Sequence, residues 1–386
     1  MGPPGQSRLA GLQMVDPQAS GAWTSARIRA TAPVGLPSRP EELEVTVAGA
    51  GRLWSLPEWN DETHGTSLVV LVGGEVVHEW YAEGLGPETL FLGASATKSV
   101  LTLLVGQAVR AGALGLDSGV AELVPALKGS GYAGCTLRDL LTMTTGVDWV
   151  EDHRDPTSKA SRLLATFGAA SGDSRRLLTE VGAAVPPGTR FVYNTADSQV
   201  LDWLREAATG VAYPDALEAL WASLGCERDA FVALDAPGGV AMAGGGLAAC
   251  ARDWSRAALL LRDGSAGGEQ VIDREWAEQA SVPSLPFLEP GRLPSSITTH
   301  AGFGWAWWPL DREGRTVTAD GSRGQFVYLD RDLDVVVLKT SRWPYDDWLV
   351  DRQLRDLSYL GLPEVARAAA ARQGTTKDTH DQEVTS

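Results

Sequence analysis

The residues with the clearest potential for chemistry are a serine and a lysine three positions apart, Ser95 and Lys98, at the start of an apolar run. Residues at i and i+3 share one face of a helix, so the lysine amine is predicted to reach the serine hydroxyl. A serine hydroxyl needs a base within hydrogen-bond distance to act as a nucleophile, and an amine in an apolar pocket can be that base. The pair therefore predicts acyl transfer through serine, although a capping serine beside a snorkelling lysine would give the same pattern.

Two further elements would complete such a site. Acyl transfer also needs a proton donor for the leaving group and an oxyanion hole. Tyr193, which follows a stiff Pro-Pro-Gly turn, is a candidate donor if a neighbouring ammonium favours its ionised form. Two backbone amides would form the oxyanion hole, that of Ser95 at its helix N-terminus and that of Ser322 at a strand edge.

The elements that must position these residues are strands at both ends of the chain and helices between them. Residues 67–72 and 75–81 flank Gly73-Gly74 and predict a hairpin. The Ser95 helix is expected to end near Arg110, and further helices follow from residue 118 onward. Late strands are predicted at 304–308, 324–329 and 334–339, followed by a terminal helix over 347–360.

This order predicts a mixed α/β (α+β) fold, in which a mainly antiparallel sheet is flanked by helices and carries an all-helical inserted lobe. A site is expected in the cleft between the two lobes. The predicted divisions are an N-terminal arm (1–60), an α/β body (61–112 and 236–365), a helical lobe (113–235) and a polar tail (366–386).

The composition of the chain limits the classes of binding partner and cofactor that are expected. The formal charge of −16 argues against nucleic acid and anionic membrane surfaces, which leaves a small-molecule substrate. The three cysteines and five histidines show no metal-ligand spacing, so no metal or other cofactor is expected. No signal peptide and no run of 18 apolar residues is visible, which predicts a cytoplasmic protein. The oligomeric state stays open.

Four motifs in order carry a family resemblance: Ser-x-x-Lys at 95–98, Leu-Arg-Asp-Leu-Leu-Thr-Met-Thr-Thr-Gly at 137–146, Pro-Pro-Gly-x-x-Phe-x-Tyr at 186–193 and Gly-x-x-Gly-Gln at 321–325. Together they resemble the serine β-lactamase and penicillin-binding protein superfamily. The chain is most similar to its class C-related esterases and 6-aminohexanoate-dimer (nylon oligomer) hydrolases, from about Thr66 to Trp348. The resemblance implies Ser95 as nucleophile, Lys98 as general base and Tyr193 as the tyrosine of the second motif.

The chain departs from the family pattern at two motifs. Thr195 occupies the place of a substrate-binding asparagine, while Asn194 is out of step. The usual Lys-Thr-Gly falls on 319–321, where Ala319 supplies no cation for a β-lactam carboxylate. The residues implied to bind substrate are Thr195, Asp320, Gly321 and Arg323.

Two of these substrate residues have alternative interpretations. Arg323 could replace the missing cation. Asp320 would suit a substrate that carries an amine, but a turn-capping carboxylate explains it equally well.

These departures favour a serine hydrolase of linear amides or esters over an efficient β-lactamase. Two alternatives stay open: a β-lactamase or D-amino-acid peptidase, and a catalytically silent binding protein on the same fold.

Overall fold

The computed structural model describes residues 23–294, 301–344 and 348–384. Its strands are Ser25–Ile28 (β1), Thr46–Gly49 (β2), Arg52–Ser55 (β3), Gly65–Val72 (β4), Glu75–Tyr81 (β5), Phe91–Leu92 (β6), Ala230–Ala233 (β7), Leu247–Ala249 (β8), Ser265–Ala266 (β9), Glu269–Gln270 (β10), Trp308–Pro309 (β11), Thr316–Gly321 (β12), Gln325–Asp330 (β13) and Val335–Ser341 (β14).

Helices connect and cover these strands. They are Leu56–Glu62 (α1), Ala96–Arg110 (α2), Val120–Leu123 (α3), Leu137–Leu141 (α4), Lys159–Ala169 (α5), Ser174–Thr179 (α6), Thr195–Thr209 (α7), Tyr213–Leu224 (α8), Ala251–Asp263 (α9), Arg274–Ala280 (α10) and Trp348–Val384 (α11), with short 3₁₀ helices at Pro125–Leu127 and Pro286–Leu288. In the described part of the chain, no helix is long and apolar enough to cross a membrane.

The main sheet has six strands in the order β11-β12-β13-β14-β4-β5, and every neighbouring pair is antiparallel. Its central strands are apolar on both faces because both faces are covered. Val69 and Leu71 of β4 pack into the hydrophobic cluster shared with α2 and α9, whereas Leu68 and Val70 pack into the cluster shared with α11. The mixed fold and the mainly antiparallel sheet are confirmed.

Residues 23–60, the described part of the predicted arm, contain regular secondary structure. β1 pairs with β7 in a second, four-stranded antiparallel sheet, β1-β7-β8-β6. β2 and β3 form a hairpin that leads into α1. At the other end, α11 continues through the predicted tail, and Ala366 and Ala369 are buried in the core. The division into arm, body, lobe and tail stays a prediction.

Most predicted elements near the site form where expected, with one exception. The hairpin β4-β5 and the helix after Ser95 are confirmed within two residues at each end. The strand predicted over 304–308 is wrong except at Trp308, because the chain turns there. The Gly304 amide donates to the Trp307 carbonyl oxygen over 2.8 Å, and Ala306 has φ of 57°.

Candidate active site

Ser95 sits at the end of a tight turn between β6 and α2. The Gly93 amide donates to the Leu247 carbonyl oxygen over 2.9 Å, which anchors the turn on β8. A side chain at Gly93 would lie only 2.2 Å from the Trp254 ring, so only glycine fits. Ala94 then takes a left-handed φ of 46°, an uncommon conformation for a residue other than glycine. The turn places Ser95, partly exposed, as the N-cap residue of α2.

Lys98 lies one helical turn further on and is almost fully buried. Its Nζ is 3.0 Å from Ser95 Oγ and donates to the Gly244 carbonyl oxygen over 2.7 Å. Burial lowers the pKa of Lys98 to about 8, against the opposing effect of the nearby Glu151 carboxylate. The predicted contact between Ser95 and Lys98 is thus present, with the amine close to the neutral state that a base requires.

Tyr193 lies on the other side of Lys98. The lysine Nζ is 5.2 Å from the centroid of the Tyr193 ring, and that ring stacks on Trp308 with centroids 5.7 Å apart. Phe303 meets the edge of the same ring at 6.4 Å. Phe303 and Trp308 are buried and support the Tyr193 ring, which is the partly exposed member of the group and lies beside the lysine. Trp305 and Trp307 are also core residues.

Gly321 brings the end of β12 against the Ser95 turn. A side chain at Gly321 would lie 2.0 Å from the Gly93 carbonyl oxygen, so the two backbone segments can approach only because Gly321 has none. Ser322 follows directly and is exposed. Within the described residues, neither the Ser95 amide nor the Ser322 amide donates to a backbone carbonyl. The oxyanion hole formed by these two amides stays a prediction.

The predicted substrate residues Thr195, Asp320 and Arg323 have partners within the protein. The Thr195 hydroxyl donates to the Glu151 carboxylate. Arg323, with an exposed fraction of 7%, donates to the Trp343 carbonyl oxygen over 3.3 Å.

Asp320 lies within β12 and not at a turn, and its carboxylate accepts a hydrogen bond from the Tyr359 hydroxyl of α11. Burial raises its pKa to about 6, although hydrogen bonds from Thr318 and Tyr359 oppose the rise. The turn-capping interpretation of Asp320 is therefore wrong. Neither Asp320 nor Ala319, which is buried in the core, places a cation at the site.

Asn194 is the N-cap residue of α7, which explains why it is out of step with the family motif. Its side-chain oxygen accepts hydrogen bonds from the amides of Ala196 and Asp197, and its side-chain nitrogen donates to the Asp197 carboxylate over 2.6 Å. Asp197 is fully buried and also accepts from Tyr132 and Thr145. This buried network fixes the start of the helix that follows Tyr193.

Glu151 is a site residue that the sequence analysis missed. Its carboxylate accepts hydrogen bonds from the Thr195 amide (3.0 Å), Trp149 Nε1 (2.6 Å) and His153 Nε2 (3.0 Å), in addition to the Thr195 hydroxyl. Burial raises its pKa, but the His153 hydrogen bond, the Lys98 charge and the Thr195 amide outweigh burial and hold the pKa near 2. Glu151 is therefore ionised at neutral pH. No motif marks it, and its link to the site comes through Thr195, 44 positions away.

A cavity of about 1220 Å³ lies elsewhere, between residues 42–46, helix α1, the start of β4 and Arg342. None of Ser95, Lys98 and Tyr193 lines it. Cavity volume therefore does not identify the site in this protein. The contact between the Ser95 hydroxyl and the Lys98 amine, together with the approach of β12 to Gly93, distinguishes the candidate site.

Comparison with protein families gives a match to the beta-lactamase family over residues 56–359. Among curated proteins, the 6-aminohexanoate-dimer hydrolase of Paenarthrobacter ureafaciens is 31% identical over 339 residues, which cover 84% of this chain and 86% of that enzyme. A shorter match to penicillin-binding protein 4 of Amycolatopsis lactamdurans is 30% identical over 42% of this chain and 44% of that protein.

Solved structures share the fold at lower identity. A Bacillus anthracis protein, provisionally named a 6-aminohexanoate-dimer hydrolase, superimposes with a TM-score of 0.78 at 20% identity, covering 92% of this chain and 93% of its own. EstCE1, a hydrolase with promiscuous acyltransferase activity, has a TM-score of 0.60 at 20% identity, covering 78% of this chain and 95% of its own.

Proposed function

The chain belongs to the beta-lactamase family, and from this premise we propose that it hydrolyses a linear amide or ester through an acyl-enzyme formed on Ser95. Similarity to the 6-aminohexanoate-dimer hydrolase over most of both chains supports hydrolysis of amide or ester bonds. The observation that carries the choice of nucleophile is the 3.0 Å separation between Lys98 Nζ and Ser95 Oγ.

In the proposed first step, Lys98 takes the hydroxyl proton while Ser95 Oγ bonds to the substrate carbonyl carbon. The carbonyl oxygen becomes an oxyanion that accepts hydrogen bonds from the Ser95 and Ser322 amides. The tetrahedral intermediate then expels the leaving group, which receives a proton from the Tyr193 phenol, and the Lys98 ammonium returns a proton to Tyr193. Water hydrolyses the acyl-enzyme and restores the Ser95 hydroxyl.

The surroundings of Lys98 and Ser95 support an uncharged acyl group. The partly exposed Tyr193 ring, supported by the buried Trp308 and Phe303, offers an apolar surface beside Lys98. The cation that would hold a β-lactam carboxylate is missing at Ala319, and the Arg323 guanidinium is bound to the Trp343 carbonyl oxygen. A linear amide related to the aminohexanoate dimer and a short-chain ester are the substrate classes we propose. Cytoplasmic location stays a prediction.

A substrate panel tests this proposal. Turnover of p-nitrophenyl esters, linear amides and the β-lactam nitrocefin is measured for the wild type, for Ser95→Ala and for Ser223→Ala, which alters an exposed serine on α8. We expect ester and linear-amide turnover by the wild type and the Ser223 variant. Ser95→Ala should lose turnover by about 10³-fold or more.

Each other outcome overturns a different part of the proposal. Hydrolysis that survives in Ser95→Ala would mean that another group is the nucleophile. Nitrocefin turnover comparable with ester turnover would favour a β-lactamase. If no substrate is turned over and no burst of p-nitrophenol appears, the protein is a binding protein on this fold.

A further inference from the structure

Glu151 joins elements that carry different parts of the proposed site. It accepts two hydrogen bonds from Thr195, the first residue of α7, and Tyr193 lies only two positions before Thr195. The methyl group of Thr195 packs against Gly244, where a side-chain Cβ would be 3.1 Å away. The Gly244 carbonyl oxygen in turn accepts the hydrogen bond from Lys98. A continuous set of contacts therefore runs from Glu151 to the lysine.

The bonding of Glu151 leaves it little freedom to bind substrate. Its oxygen atoms accept from Thr195, Trp149 and His153, and its side chain has an exposed fraction of 15%. A buried carboxylate with this many donors is rigidly held and stays charged. Its charge therefore acts on whatever cation is nearby, and the nearby buried cation is the Lys98 ammonium.

We infer that Glu151 is a positioning residue that sets the charge state of Lys98 and, through Thr195, holds Tyr193 in place. This inference rests on the proposed function of Ser95, Lys98 and Tyr193. A carboxylate close to an ammonium favours its protonated form, so Glu151 limits how far burial converts the base to the free amine. The proposed first step needs the free amine, so the Glu151 charge sets the pH above which Lys98 can accept the Ser95 proton.

Other ionisable groups also lie near Glu151, and each has an interaction of its own. His153 bonds to it from the same loop, while the neighbouring Asp152 and Arg154 pair with each other. Asp197 on α7 also interacts with Glu151, but burial raises the pKa of Asp197 well above its usual range. Lys98 on α2 is therefore the buried cation whose charge should respond to loss of the Glu151 carboxylate.

The pH dependence of ester hydrolysis tests this inference. We expect Glu151→Gln to move the acid limb of kcat/KM to lower pH by about one unit, because the opposite charge beside Lys98 is removed. Thr195→Val keeps that charge and removes one hydrogen bond, so it should lower kcat without moving the limb. Ser95→Ala is assayed alongside, and circular dichroism checks that each variant folds.

The outcomes separate this inference from the proposed function. If Glu151→Gln folds and the acid limb of its kcat/KM profile does not move, the charge role of Glu151 is overturned. This conclusion holds even if Ser95→Ala is inactive and the proposed function therefore stands. Activity in Ser95→Ala overturns the proposed function itself. If the glutamine variant does not fold, Glu151→Asp replaces it. The shorter side chain keeps the charge but not the reach to Thr195, so kcat should fall about tenfold, and an unchanged kcat overturns the positioning role.

Discussion

Lys98 and Lys339 are both buried lysines, and they differ in what surrounds the amine. Lys98 Nζ lies beside a serine hydroxyl, a backbone carbonyl and, further off, a carboxylate. Lys339 on β14 donates to the Asn60 side chain over 3.1 Å and lies over the Trp59 ring, 4.6 Å from its centroid. Burial lowers the pKa of Lys339 to about 7, further than that of Lys98.

The comparison shows that a low lysine pKa does not by itself mark a catalytic base. Desolvation lowers the pKa of both amines. Lys339 has the lower pKa of the two, yet it donates to the Asn60 side chain and not to a nucleophile. What distinguishes Lys98 is geometry: a partly exposed hydroxyl lies 3.0 Å away, on a turn against which the end of β12 packs. The Glu151 carboxylate also keeps the Lys98 amine from losing its proton as readily as Lys339.

Replacing each lysine by methionine should give the largest difference in acylation rate between the two sites. Lys98→Met removes the general base, so we expect ester acylation to slow by about 10³-fold. Lys339→Met should leave the acylation rate within about twofold, since it touches no reacting group. Stopped-flow release of p-nitrophenol measures both rates. Equal losses in two folded variants would contradict the assignment of Lys98.

Tyr193→Phe tests the proton donor beside Lys98. We expect amide hydrolysis to fall about 100-fold, because the leaving amine then lacks its proton source. Hydrolysis of p-nitrophenyl esters should fall much less, since nitrophenolate leaves without a proton. Tyr213→Phe is the matched control, because Tyr213 is buried in α8 and its hydroxyl has no hydrogen-bond partner among the described residues. Equal losses for amide and ester would count against a donor role.

The pH profile of the wild type should report Lys98. With its pKa at about 8, kcat/KM for ester hydrolysis should fall on the acid side of pH 8 and level off above it. The slope should approach tenfold for each pH unit, because one proton must leave. An acid limb well below pH 8 would contradict the assignment of Lys98 as the base.

Lys339 should influence the free energy of unfolding, whereas Lys98 should influence the rate of hydrolysis. Its pKa is about 7 in the fold and 10.5 in the unfolded chain, so its destabilising effect is full below pH 7 and disappears above pH 10.5. The gain in unfolding free energy from Lys339→Met should therefore shrink by a few kcal/mol between pH 7 and pH 10. Urea denaturation at several pH values measures it, and a gain that is independent of pH would refute the assigned pKa.

Sequence patterns predicted the parts of the site that depend on local geometry. The contact between Ser95 and Lys98 follows from helical spacing. The hairpin β4-β5 follows from alternation and a two-glycine turn. Each of these signals lies within a few residues of chain.

The parts that the sequence did not predict depend on contacts between distant segments. Glu151 carries no motif and becomes a site residue only because Thr195, 44 positions away, bonds to it. The sequence around Asp320 is compatible with a substrate contact or a turn cap, whereas its partner in the fold lies on α11. β1 is too short to be recognised before β7 pairs with it, about 200 residues later. Sequence patterns report on short windows of the chain and therefore do not identify partners from distant segments.

The most direct test of the account is to find where the acyl group resides. The enzyme is mixed with p-nitrophenyl acetate and quenched in acid within the burst phase, and its peptides are then mapped by mass spectrometry. We predict a single acetyl group on Ser95 in the wild type and in Lys339→Met, and none in Ser95→Ala. An acetyl group on another residue, with Ser95 unmodified, would contradict the account.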